Sequence, residues 1–126
     1  MAKISVYVEG HGKVKVEGSY VQGTDQKLFV SVSSPEGEMY VLRHTLTGYV
    51  CVEEVSKEEA VWMARQLFAA CPSAWSREDS RAFEESLPHW VKEWVENIQD
   101  AAACKVPITL LKSCADFCRE MESLAS

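Results

Sequence analysis

Ile4, Val6 and Val8 alternate with Ser5, Tyr7 and Glu9, and Val14 and Val16 alternate with Lys13, Lys15 and Glu17. A two-residue period puts successive side chains on opposite faces of a strand. It predicts strands over 3–9 and 13–21, with Gly10-His11-Gly12 as the hairpin connection between them. Gly23-Thr24-Asp25-Gln26 reads as a turn before Leu28, Val30 and Val32, which alternate with Phe29, Ser31 and Ser33 in a third strand over 27–33. Ser34-Pro35-Glu36-Gly37 offers proline's fixed φ and a glycine at the turn's end, predicting a fourth strand over 38–46. Thr47-Gly48 then precedes Tyr49-Val50-Cys51-Val52, a β-branched and aromatic run that predicts a fifth strand over 49–54. Parallel pairing needs crossovers of about a dozen residues. Links this short therefore imply an antiparallel meander.

Around Val55 and Ser56 the period changes to three and four. Ser56-Lys57-Glu58-Glu59 has the form of a capping box, and Ala60, Val61, Ala64, Leu67, Phe68 and Cys71 follow at helical spacing up to Pro72. A first helix is predicted over 57–71. Ser76-Arg77-Glu78-Asp79 opens a short second helix over 77–86. Pro88 suits a first helical turn, and the stripe of Trp90, Val91, Trp94, Val95, Ile98, Ala101 and Ala102 predicts a third helix over 88–103. Leu110, Leu111, Cys114, Phe117, Cys118, Met121 and Leu124 make the strongest periodic set and predict a fourth helix over 108–124.

All six glycines fall in the first forty-eight residues, which sharpens the boundary between a turn-rich half and a helical half. The expected fold is α+β: one domain over 1–126, strand-rich over 1–55 and helix-rich over 56–126, with helices on one face of a five-stranded meander. The opposite face is expected to carry Lys, Glu, Thr and Ser toward water. At 126 residues and 47% apolar, the chain can build a core without metal or disulfide staples.

Charge narrows the partners. The net charge is −6 with both signs interspersed, and Lys13 and Lys15 are the nearest thing to a basic cluster. A surface that tracks phosphates needs many more cations, so nucleic acid is excluded as an expected partner and a basic protein is favoured. No apolar run approaches the ~18 residues of a spanning helix, and the first residues lack the apolar core of a secretory signal. The expected location is cytoplasmic, consistent with five cysteines that match no disulfide framework.

Candidate chemistry is sparse. Cys114 and Cys118 share a helix face with Cys104 upstream, but zinc-binding C-x2-4-C pairs sit on turns, and both cysteines lie in an apolar helix stripe. No metal or cofactor is expected. Adjacent acids such as Glu53-Glu54, Glu58-Glu59 and Glu84-Glu85 do not face one another on a helix and make poor acid–base pairs. No catalytic residue is assigned. Among the tryptophans, Trp62 lies off the face of Val61, Ala64 and Leu67, and Trp75 lies in the Pro72–Ser76 link. An exposed tryptophan is a common binding anchor, so Trp62 and Trp75, with His11 at the hairpin tip, are the candidate binding residues. The leading expectation is a non-catalytic protein-binding module, of the inhibitor, adaptor or chaperone-like kind, acting through an aromatic patch or a sheet edge. Its free edges also make a homodimer a candidate assembly. The alternative is a small enzyme or ligand-binding domain with a pocket between sheet and helices, lined by Cys51, His44 and Tyr40 or Tyr49. An acidic mimic of nucleic acid would need a regular array of carboxylates, which the mixed charges do not supply.

Overall fold

The computed structural model describes residues 2–8, 10–33 and 36–125. Five strands, β1 (Ala2–Val8), β2 (Gly12–Tyr20), β3 (Leu28–Val32), β4 (Tyr40–His44) and β5 (Val50–Val55), form one antiparallel sheet in the order β1-β2-β3-β4-β5. Four helices follow and pack against it: α1 (Lys57–Ala70), α2 (Ser80–Ser86), α3 (Trp90–Ala103) and α4 (Cys114–Ala125). The turn expected at Ser34-Pro35-Glu36-Gly37 and the outward position of Glu9 fall partly or wholly outside the described residues.

The capping box forms as its spacing demands. Glu59 N donates to Ser56 Oγ at 3.1 Å and Ser56 N donates to Glu59 Oε1 at 2.8 Å. From the sheet, Leu28, Val30, Leu42, Val52 and Val55 face the helices. Ala60, Met63, Ala64 and Leu67 of α1 meet them, together with Val91, Trp94, Val95 and Ile98 of α3.

The far face of the sheet departs from expectation, because it is not a simple wet surface. Most of β2 pairs with β1, and only Ser19 and Tyr20 pair with β3. At Gly18, where the pairing changes over, a Cβ would lie 2.2 Å from the Val30 carbonyl oxygen and 2.8 Å from the Phe29 ring. Only glycine permits that approach. The β1–β2 hairpin consequently folds so that Ile4 and Val6 cover Phe29, on the opposite side of β3 from Leu28 and Val30. Phe29 and Ser31, which the alternation set on the face expected to be wet, are buried, as is Val41.

Three helices begin later than the spacing predicts, α3 by two residues and the other two by more. Ser76 closes a 3₁₀ turn over Pro72–Ser76, and α2 is capped instead by Asp79, whose Oδ1 accepts from Ala82 N at 3.0 Å. The predicted fourth helix is split: Ile108–Leu110 is a 3₁₀ turn and α4 starts only at Cys114. The backbone is extended at Leu111, which presents the Lys112 carbonyl to Trp94 Nε1 at 3.0 Å, and Cys114 N donates to Gln66 Oε1 at 3.0 Å. These two tertiary bonds replace a turn of helix. Among the described residues no helix is long and apolar enough to cross a membrane.

Candidate binding cleft

Strand β5 is an edge strand, and its pairing with β4 slips twice. Leu42 pairs with Val52 but Arg43 with Val50, and Tyr40 with Val55, so Cys51 and one of Glu53-Glu54 are extra residues. Glu54 takes a left-handed φ of 61°. These bulges put Val52 and Val55, three apart, on the same inward face, where a regular strand would alternate.

A cleft of about 190 Å³ lies between β5 and α3. Its floor is apolar: Val52, Leu67 and Trp75 are buried, and Cys51 and Leu87 are half-buried. Its far wall is Val91 and Val95 of α3. Lys92, Glu96 and Gln99 recur at four- and three-residue spacing along the same side of α3 and stand at the mouth opposite Glu53. Gln99 Nε2 donates to the Glu53 carbonyl at 2.8 Å, tying helix to edge strand.

Trp75 is held in place from both ends. Its indole Nε1 donates to the Leu67 carbonyl at 3.3 Å, an oxygen that also accepts from Cys71 N at 3.2 Å. Its own carbonyl lies 2.7 Å from His44 Nε2. A carbonyl only accepts, so His44 carries its proton on Nε2, and Nδ1 accepts from Thr47 Oγ1 at 2.8 Å. The imidazole stacks on Phe83 with centroids 3.9 Å apart and planes at 9°. Desolvation by burial lowers the His44 pKa, the bond to Trp75 opposing it. With both nitrogens engaged and the ring fully buried, His44 is a structural strut. It does not line the cleft as the ligand-pocket expectation had it. Tyr40 is elsewhere too, at a hollow beside Gly18 and Lys57.

Tyr49 and Cys51 do line the cleft. Burial raises the Tyr49 pKa, helped by Cys51 and Glu84 nearby. Burial also pushes the thiols of Cys51 and Cys114 up to about 12 and that of Cys71 to about 11. All three are neutral at physiological pH and behave as small apolar groups. Cys114 belongs to the main core, whereas Cys104 is exposed. Among the described residues no group of three or more His, Cys, Asp or Glu side chains could hold a metal ion.

The sequence-predicted binding residues are not brought together. Trp75, expected at the surface, is 1% exposed: its link packs under α1 as a 3₁₀ turn, and the indole becomes cleft floor. Trp62 is half-buried, its ring 5.8 Å from that of Trp94, and lines a separate shallow hollow with Val61 and Ile108. His11 is exposed at the tip of the β1–β2 turn. The residues that sequence reasoning missed as a site are Glu53, Leu87, Val91, Val95, Glu96 and Gln99. One signal was available, the repeated Trp-Val pairs at 90–91 and 94–95, which set small side chains beside large ones along α3. Comparison with known protein families, curated proteins and solved structures finds no match for this chain.

Proposed function

We propose that this protein is a non-catalytic protein-binding module that takes an extended segment of a partner along the edge of β5. One large apolar side chain of that segment enters the cleft, and a neighbouring Lys or Arg meets Glu96 and Glu53 at the mouth. The observation that carries this reading is the joint placement of a strand edge that no other strand among the described residues covers and an apolar cleft walled by α3. Edge addition supplies main-chain hydrogen bonds and a pocket supplies side-chain choice. An apolar floor disfavours a buried cation, so the anchor is apolar and the positive charge stays at the rim. The net charge of −6 favours the same sign of partner. The half-buried Cys51 thiol, its pKa pushed up to about 12, is a poor nucleophile, and a reducing compartment such as the cytoplasm suits five free cysteines.

Panning a displayed library of linear peptides tests this. The expected enrichment is a large apolar residue flanked by Lys or Arg. Filling the cleft with Val95→Trp should weaken an enriched peptide by at least about tenfold, and Glu96→Lys at the exposed mouth should weaken the basic ones at low salt more than at high salt. Enriched peptides that ignore both variants would refute the site. A second reading, a small-molecule pocket, is favoured by Tyr49 and Cys51 lining a space comparable to apolar cavities that hold benzene. Stabilisation by small apolar compounds that survives Glu96→Lys would support it.

A further inference from the structure

Much of the apolar stripe of α4 has no cover. Cys114 is buried, but Cys118 and Met121 are half-buried and Leu124 is 82% exposed. Two hollows of about 370 and 340 Å³ run along this face and share one residue, Trp90. The first is bounded by Arg65, Ala69, Ala115 and Cys118, and the second by His89, Met121, Glu122 and Leu124. Together they make an apolar trough from Ala115 to Leu124, about 14 Å of helix at 1.5 Å per residue.

The trough carries opposite charges at its ends, Arg65 beside Ala115 and Glu122 beside Leu124. Asp116, Lys112 and Glu120, the other charges near α4, are already engaged in ion pairs with Arg119 or with each other, whereas among the described residues Arg65 and Glu122 form no ion pair: Arg65 Nε donates to the Gln22 carbonyl, and Glu122 Oε1 accepts a thiol bond from Cys118 Sγ at 3.4 Å. A two-fold rotation about an axis through the middle of the trough exchanges its ends. It would set Arg65 of one copy against Glu122 of the other, twice, while the apolar middle closes on itself. We propose that the occupant of this trough is a second copy of the chain, its α4 lying antiparallel to the first, in an isologous homodimer. The proposal is independent of the β5 cleft, which lies on the other side of α3's buried stripe.

Light scattering over roughly 1–100 μM, the range of weak dimers, should show the average mass rising toward two chains. Arg65→Glu and Glu122→Arg should each raise the dissociation constant at least about tenfold, since like charges then face each other. The double variant Arg65→Glu/Glu122→Arg should recover to within a few-fold of wild type. Both positions are exposed, and unchanged far-ultraviolet circular dichroism spectra confirm that the variants fold. A strictly monomeric wild type overturns the proposal, as do single variants that dimerise normally or a double variant no better than the singles. A short bismaleimide provides a separate readout in a Cys104→Ser background, which removes the exposed thiol. Cys118 should crosslink to its own copy near the axis, and absence of that product in a confirmed dimer would exclude the α4 interface.

Discussion

The buried His44 makes stability depend on pH in a defined direction. Its folded pKa lies below the ordinary value of 6.5 because the charged ring would have to sit without water against Phe83 and Trp75. Between those two pKa values the unfolded chain binds a proton that the folded chain refuses. The contribution is therefore fully present above about 6.5 and lost as pH falls toward the folded value, with a limiting slope of about 1.4 kcal/mol per pH unit. His44→Phe keeps a ring on Phe83 but removes both hydrogen bonds and leaves the Trp75 carbonyl buried without its donor. At high pH that should cost about 2–3 kcal/mol. As pH falls the wild type should lose stability and the variant should not lose this component, so their difference shrinks. Urea unfolding followed by tryptophan fluorescence, from about pH 8 to about pH 5, measures both. His11 and His89 are exposed and common to both proteins, so the difference isolates His44. Two stability profiles that run parallel across this range would refute the assignment of a neutral, Nε2-protonated ring.

Two further outcomes follow from packing. Gly18→Ala forces a Cβ to within 2.2 Å of the Val30 carbonyl, and since that atom is backbone in a strand it cannot step aside; a loss on the order of 3 kcal/mol in urea unfolding is expected, and a change under about 0.5 kcal/mol would mean the β1–β2 hairpin does not fold over Phe29. With an aromatic disulfide reagent at neutral pH, Cys104 should react quickly in the native protein while Cys51, Cys71 and Cys114 wait for unfolding, because burial holds their thiols protonated. Rapid native-state labelling of Cys51 would contradict a thiol held protonated in the cleft.

The order and type of the elements were legible because each rests on local periodicity. Alternation at Ile4, Val6, Val14 and Val16 marks strands whatever they later pack against, and the Ser56–Glu59 box marks a helix start from four residues. What was not legible depends on contacts between distant segments. The far side of the sheet is covered because one glycine lets a hairpin bend over Phe29, and in the sequence Gly18 looks like any other turn-former. The stripe from Leu110 to Leu124 reads as one helix, yet Trp94 and Gln66 claim the backbone of Lys112 and Cys114, so the first turn is given up.

The cleft shows the same limit in sharper form. In a regular strand Val52 and Glu54 would share a face and Val55 would point the other way. The two slips in pairing with β4 bring Val55 inward and leave Glu53 at the rim, where its carbonyl meets Gln99 forty-six residues on. Neither slip has a glycine to announce it; Glu54 adopts the left-handed conformation itself, at a cost of roughly 1–2 kcal/mol that surrounding contacts must offset. Non-glycine residues held in this region cluster at ligand clamps and active sites, which directs the search for function to this edge. In this protein the left-handed residue directly follows Glu53, which stands at the mouth of the cleft.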